Sequence, residues 1–227
     1  MQASINIATL KAVNLAVSTE ETRYYLKGVL VEVTEKTVTY TATNGHILLS
    51  RREDCVEPNT LTGSWIISSD FIKSAKPGKH IDYADMTIVP GPNNSTMLAF
   101  TGTITGMAAP IDGTFPDYRR IIPATVDGKP GQYDGNYTGT FAKFAKALGL
   151  GYFTVHHNGD QPAPVTFDSH QGVYGIIMPL RQNNSTETPA WDPAYAVLSP
   201  NEREACAQAA HAAEQAKAAA KQDQEAA

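Results

Sequence analysis

A short helical stretch followed by three short strands occurs three times in this sequence, and this repetition constrains the fold more than any other feature. The helices are predicted at residues 9–18, 70–76 and 140–148, spaced by roughly sixty to seventy residues, and each follows a short β-like run. We therefore predict an α+β fold built from three strand-helix-three-strand units.

The predicted strands alternate or run apolar between turn residues, as strands do. After the first helix they are residues 26–33, 37–42 and 46–50, with Asn44-Gly45 as a turn. The second unit has 64–67 before its helix and 86–89, 96–100 and 103–107 after it. The third has 132–138 before its helix and 152–157, 165–168 and 173–178 after it.

The second and third units are joined by Pro110–Pro123, which we call the connector. Its three prolines fix φ and remove backbone donors, and Asp112-Gly113 supplies a turn, so we predict a rigid, extended segment. Because Phe115, Tyr118, Ile121 and Ile122 lie in so short a run, we expect the connector to lie against a surface.

After Arg181 the composition becomes polar and then alanine-rich. Ser199 to Glu202 fits a capping box with proline at the first helical position, which predicts a helix from about residue 200. This tail lacks an apolar stripe, so it is either a solvated appendage or a helix that docks on a partner.

The 227 residues carry a net charge of -5, so any contact with nucleic acid requires a local basic face. Cys55 and Cys206 lack a zinc-site spacing and indicate a reducing compartment. No run approaches the ~18 apolar residues of a membrane span, and no secretory leader is evident at the start. We expect a soluble, cytoplasmic protein.

Each predicted helix has an apolar face and a face that carries lysine. On the third helix, for example, Phe141 and Phe144 lie opposite Lys143 and Lys146. Two interpretations remain open: ordinary solvation by lysine, or a basic surface that contacts DNA phosphates irrespective of sequence. The lysines concerned are Lys11, Lys73, Lys76, Lys79, Lys143 and Lys146.

Catalytic chemistry is not indicated. The neighbours His156 and His157 would point to opposite faces of a strand, so they cannot simply share a metal ion. Asp112 and Asp117 lie in a turn-rich segment without a nucleophile-base pair, and no phosphate-binding glycine motif is present. We predict no enzyme activity, no cofactor and no metal.

Four segments stand out along the chain: RYYLKG at 23–28, ATNGH at 42–46, GTFPDYRRIIP at 113–123 and YGIIMPLR at 174–181. They occur in the order found in bacterial DNA polymerase III beta sliding clamps, and over about residues 4–181 the chain resembles that family. The resemblance implies a ring that encircles duplex DNA, with helices lining the hole, sheets on the rim, and two units in each domain.

The resemblance is partial, since it covers only the family's middle domain and the second half of its last domain. It implies a complete domain at residues 1–123, a half-domain at 124–181, a linker at 182–199 and a helical tail at 200–227. Family rings contain twelve units, so three units per chain imply a homotetramer. The half-domain of one chain would then contact the first unit of the next.

The resemblance also assigns roles to residues. Arg23, Tyr24 and Tyr25 match a motif that contacts DNA, the alternative being that each tyrosine packs in the core. A pocket for short partner peptides is implied at Leu26, Thr43, Gly45, His46, Leu48, Pro116, Arg120, Ile121, Ile176, Met178, Pro179, Leu180 and Arg181. Ile47 stands where the family commonly has arginine and residues 137–140 depart from its pattern, so peptide selectivity is expected to differ.

Two functions follow from the resemblance. The first is a processivity factor that encircles double-stranded DNA and tethers a DNA polymerase, with a clamp loader as a further partner of the peptide pocket. The second is a decoy or adaptor that keeps the pocket and regulates a full-length clamp without encircling DNA.

Overall fold

The structure is a computed structural model that describes residues 1–75, 83–168 and 170–181. Met1–Gln182 forms one compact unit, and the division predicted at residue 123 remains a prediction. The predicted linker at 182–199, the tail at 200–227, and the side chains of Lys76 and Lys79 lie outside the described residues.

Within these ranges the chain forms eleven strands and three α-helices, arranged in the predicted units. The first unit comprises β1 (Gln2–Asn6), α1 (Ile7–Val13), β2 (Gly28–Val33), β3 (Thr37–Thr43) and β4 (Ile47–Asp54). The second comprises β5 (Gly63–Ser68), α2 (Ser69–Ser74), β6 (Tyr83–Pro90), β7 (Thr96–Gly102) and β8 (Gly106–Ala108). The third comprises α3 (Gly135–Ala147), β9 (Phe153–Val155), β10 (Ala163–Phe167) and β11 (Val173–Ile177).

The strands form two antiparallel sheets. One has four strands in the order β1-β6-β7-β8, and the other has seven in the order β5-β2-β3-β4-β11-β10-β9. The first two units exchange their first strands, since β1 pairs with β6 and β5 pairs with β2. The pairing of β4 with β11 then adds the third unit to the larger sheet.

Side-chain caps determine where the helices begin. The side chains of Asn6, Ser68 and Asp134 accept hydrogen bonds from backbone N–H groups in the first turns of α1, α2 and α3. Because Asp134 caps α3, this helix starts at Gly135, five residues before the prediction. The α-helical part of α1 ends at Val13 and continues as a 3₁₀ turn, Asn14–Ala16.

The predicted strand at 132–138 does not form, so this prediction was wrong. In its place the backbone N–H of Leu180 donates to the carbonyl of Gln132 at 2.7 Å, and α3 follows almost at once. The first strands of the other two units each pair with a strand of a neighbouring unit. The described residues contain no fourth unit whose sheet could pair with a first strand of the third unit.

The core lies between the helices and the inner faces of both sheets. On α3, Phe141 and Phe144 are fully buried, and their rings lie 6.1 and 5.0 Å from that of Phe167. Gly175 lets β11 approach this helix, because an added Cβ would lie 2.6 Å from Cε1 of Phe141. The predicted inward face of α3 is therefore confirmed. Among the described helices, none has the length and apolar character needed to span a membrane.

Candidate functional site

The outer face of the seven-stranded sheet, opposite the helices, carries a small apolar surface. Thr43, Leu48 and Ile176 are register partners on β3, β4 and β11, so their side chains share this face. Leu48 and Ile176 are fully buried because Tyr118 of the connector packs on both. The pairing of β4 with β11 thus places residues from two units in one cluster.

Tyr118 begins the 3₁₀ helix Tyr118–Ile121 and is only 4% exposed. Its hydroxyl donates to Oε2 of Glu32 on β2 at 2.8 Å, and Nη2 of Arg119 donates to both carboxylate oxygens of Glu32 at 3.0 Å. Burial, with the nearby Glu32 carboxylate, raises the pKa of Tyr118 above its ordinary value, although a hydrogen bond with Thr41 opposes this.

The turn between β3 and β4 forms a second side of the surface. Oδ1 of Asn44 accepts from the backbone N–H groups of His46 and Ile47, both at 2.9 Å, and Gly45 adopts a φ of 91°. The carbonyl of His46 accepts from the N–H of Met178 at 2.8 Å. The exposed ring of His46 stacks on Tyr137 of α3, with centroids 5.4 Å apart.

The remaining residues of the predicted pocket lie around these two features. Leu26 is buried at the end of the 3₁₀ helix Glu21–Leu26, whereas Arg120 and Ile121 are exposed on the connector. Met178 and Pro179 are half-buried, and Leu180 and Arg181 are exposed. Pro116 also borders a cavity of about 840 Å³ that opens between the connector and strands β2 and β5.

Ile47 does not lie on this surface. It is 3% exposed and belongs to the main core, and its register partner is Ile177, on the helix side of the sheet. Because side chains alternate along β4, Ile47 points away from Leu48. An effect of Ile47 on peptide selectivity would therefore act through the core.

The motif at residues 23–25 lies between the Gly45 turn and the connector. Nη1 of Arg23 would be 2.7 Å from a Cβ added at Gly45, and its Nε pairs with Oε2 of Glu20 at 3.4 Å. The rings of Tyr24 and Tyr25 meet edge-on at 5.7 Å, beside Gly113. Tyr24 is half exposed and Tyr25 is partly buried, so neither belongs to the buried core.

The three helices lie side by side, because α1 packs against both α2 and α3. Lys73, Lys143 and Lys146 are exposed. Lys11 differs, since it is partly buried and its Nζ donates to the carbonyl of Ala75 at the end of α2. The structure thus separates one predicted DNA-contacting lysine from the exposed ones.

Tyr118 and Glu32 were not predicted as residues of this site, and Tyr137 was noted only within residues 137–140, where the sequence departs from the family's pattern. Tyr118 lies within the segment GTFPDYRRIIP at 113–123, and its position between Pro116 and two arginines could have indicated a role at this site. Glu32 and Tyr137 are distant in sequence from their partners, so no local pattern identifies them. In the part of the chain that the structure describes, no three His, Cys, Asp or Glu residues are grouped to hold a metal ion.

The two sheets and their adjacent helices define the class of fold, that of DNA sliding clamps. The DNA polymerase III beta subunit of Pseudomonas aeruginosa superposes with a TM-score of 0.63 at 18% identity, covering 80% of this chain and 67% of that one. The sliding clamp of Bacillus subtilis gives 0.65 at 16% identity, covering 80% and 64%. A second Pseudomonas aeruginosa clamp structure gives 0.58 at 18% identity, covering 80% and 66%.

Residues 2–117 match the family described as DNA polymerase III beta subunit, central domain, so the chain belongs to this family. It is similar to the beta sliding clamp of Pseudomonas aeruginosa, with 31% identity over 114 residues, which are 50% of this chain and 30% of the relative. The clamp of Rickettsia felis is 29% identical over 124 residues, 53% and 32% of the two chains. The chain therefore matches about a third of the length of these curated relatives.

Proposed function

We propose that this chain is a DNA sliding clamp that tethers a DNA polymerase to duplex DNA. The observation that carries the proposal is the placement of two surfaces on opposite sides of one sheet. The exposed lysines lie on the helix side, and the Leu48–Ile176 surface lies on the outer side. A protein could contact DNA with one face and leave the other free for a partner.

Lysine ammonium groups attract phosphates without reading bases, so a helix face with Lys73, Lys143 and Lys146 suits movement along DNA. Arg23 and the half-exposed Tyr24 would add contacts to phosphate and to sugar or base faces. Lys76 and Lys79 belong to the same proposed interface. The proposed role requires no bond-making chemistry. We also propose that the protein acts in the cytoplasm, where replication takes place.

The Leu48–Ile176 surface, which we call the partner surface, suits a short peptide with apolar side chains. The buried side chains of Leu48, Ile176 and Tyr118 form an apolar floor beneath the surface. The half-buried, flexible Met178 and the exposed Ile121 and Leu180 are the apolar side chains that a peptide would contact. His46 and Arg120 supply polar edges. Polymerase and clamp loader would share this site. The Pseudomonas aeruginosa clamp has been solved with griselimycin bound, and we propose that griselimycin binds this chain at the partner surface.

A closed ring requires contacts between copies. The predicted contact joined the half-domain of one chain to the first unit of the next, yet strand β4 of that unit is already paired with β11 of the same chain. Among the described strands, the sheet edges are β1 and β8 in one sheet and β5 and β9 in the other, and of these only β9 belongs to the third unit. We propose that β8 of one copy contacts the β9 end of the next, giving a homotetrameric ring.

The decoy or adaptor remains the second candidate, and the observation that favours it is the limited length matched to full clamps. Such a protein would use the same peptide surface to compete for partners.

One experiment separates the two candidates. A primed circular template is copied by DNA polymerase III and its loader, with this chain either as the sole clamp or added to a full-length clamp. A processivity factor lengthens the products of the first reaction. A decoy leaves the first reaction unchanged and shortens the products of the second. Light scattering and particle images of the purified chain test the tetrameric ring directly, and a stable monomer or dimer would refute it.

A further inference from the structure

We propose that Glu32, Tyr118 and Arg119 form a latch that positions the connector side of the partner surface; this inference rests on the proposed peptide-binding function. We call these three residues the connector latch. The latch joins Glu32, near the end of strand β2, to the segment that carries Pro116, Arg120 and Ile121. Its role is to hold that segment in the arrangement a peptide would bind.

The connector is attached to the sheet at two separated points. At its start, the N–H of Ile111 donates to the carbonyl of Ile66 on β5 at 2.8 Å. The next attachment to the sheet is the latch itself. Between these points, no residue from 112 to 117 forms a hydrogen bond to the sheet within the described part of the chain, and the cavity of about 840 Å³ lies beneath. The hydrogen bonds that hold the second half of the connector to the sheet are therefore those of the latch, which add to the apolar packing of Phe115 and Tyr118.

The latch is built on one carboxylate. Glu32 accepts the Tyr118 hydroxyl and both bonds from Arg119, and the Arg119 guanidinium also lies 4.5 Å from the centre of the Tyr118 ring. Strand β2 is paired on both sides, with β3 and β5, so Glu32 has a fixed backbone. A carboxylate held in this way is a rigid anchor, and its loss would leave the Tyr118 hydroxyl without that partner in a buried position.

The latch connects directly to the partner surface through the Tyr118 ring. This ring covers Leu48 and Ile176, while the next residues along the chain, Arg120 and Ile121, form the exposed edge. If the latch opens, the apolar floor loses one of its sides. The apparent affinity for a ligand then falls in proportion to the fraction of molecules that remain closed.

The test uses variants of the full chain that remove single bonds. Tyr118→Phe keeps the ring and removes its hydroxyl, and Glu32→Gln keeps an acceptor and removes the charge. Arg119→Lys changes only an exposed side chain and should fold in any case. Tyr83→Phe is the matched control, since it deletes a tyrosine hydroxyl on the other sheet.

Two readouts are needed. Amide hydrogen exchange at Ile111, Arg120 and Ile122, whose N–H groups are bonded, reports opening of the connector. Griselimycin binding, followed as association and dissociation rates, reports whether the connector is correctly positioned at the partner surface. We expect the first two latch variants to exchange faster at Arg120 and Ile122 and to bind about 3- to 10-fold more weakly, mainly through slower association. Arg119→Lys should show a smaller change in the same direction.

The outcomes distinguish this inference from the function on which it rests. If the unaltered chain binds griselimycin and the latch variants bind with the same rates, the latch only stabilises the fold and the inference is wrong. If the unaltered chain does not bind griselimycin, the proposed peptide surface fails, and the positioning role fails with it. Weaker binding that appears equally in Tyr83→Phe would also overturn the inference.

Discussion

Leu48 and Ile176 lie directly opposite each other across the β4–β11 pair, although they belong to different units of the chain. Neither unit alone presents the apolar floor of the partner surface. The surface therefore exists only where the third unit is joined to the first, and its integrity reports on that junction.

Ile176→Ala should lower both stability and ligand binding. The side chain is 1% exposed, and its truncation leaves a cavity beneath Tyr118, which costs about 2–4 kcal/mol in unfolding free energy. Griselimycin affinity should fall as well. Urea unfolding and a binding titration measure the two effects. Ile88→Ala, at a site 45% exposed on the four-stranded sheet, should change neither by much.

Gly175→Ala should destabilise the packing between β11 and α3. The new methyl group would lie 2.6 Å from Cε1 of Phe141 and 3.0 Å from the carbonyl oxygen of Leu48, so the helix or the strand must move. We expect a loss of about 1–3 kcal/mol, typical of overpacked cores. Phe141→Leu in the same chain should recover part of the loss, and a double-mutant cycle in urea measures the coupling. If the changes in unfolding free energy of the two variants are strictly additive, the contact between position 175 and Phe141 is contradicted.

The lysines should contribute unequally to DNA binding. The double variant Lys143→Gln, Lys146→Gln removes two exposed charges and should weaken duplex binding. It should also reduce the slope of log affinity against log salt by about 0.9 for each phosphate that the variant no longer neutralises. Lys11→Gln should have a smaller effect on binding, because its ammonium group is engaged by the carbonyl of Ala75. Fluorescence anisotropy with a labelled duplex at several salt concentrations tests the contrast. Equal effects of all three lysines would show that Lys11 is released on binding.

Stability should decrease in alkaline solution, and Tyr118→Phe should weaken that dependence. Burial raises the pKa of Tyr118, so the folded chain holds this proton more tightly than the unfolded chain does. Its contribution is complete below the unfolded tyrosine pKa of about 10 and decreases as the pH rises above it, by up to about 1.4 kcal/mol per pH unit. Tyr40 and Tyr174, whose pKa values are also raised by burial, should retain part of the effect in the variant. Urea titrations between pH 8 and 11 provide the test.

Met107→Lys should interfere with association of copies. Met107 is 65% exposed on β8, the strand proposed to meet the next copy, and charge on an edge strand opposes edge pairing. Light scattering should show a smaller species than the unaltered chain forms. Val56→Lys, at a site 98% exposed outside the strands, serves as the control. An unchanged oligomer would place the contact elsewhere.

Local patterns were sufficient for most of the strands and for the inward face of α3, because alternation and helical periodicity are properties of short segments. They failed for residues 132–138, where strand formation depends on a partner unit rather than on the segment itself. The prediction for Ile47 compared it with the family's arginine but ignored the alternation of side chains along β4. This alternation turns the Ile47 side chain toward the core. The bond from Lys11 to Ala75 spans two helices, and no local pattern contains such information.

The exchange of first strands between the first two units also affects how the chain can fold as it is synthesised. Gln2 pairs with Thr87, so β1 has no partner in its sheet until the ribosome has made β6. At typical rates of 5–20 residues per second this delay lasts about 4–17 s. During that time Ile5, which is fully buried in the finished fold, remains without its final neighbours on β6. The nascent chain is therefore most exposed to misfolding and to chaperones before the second unit is complete.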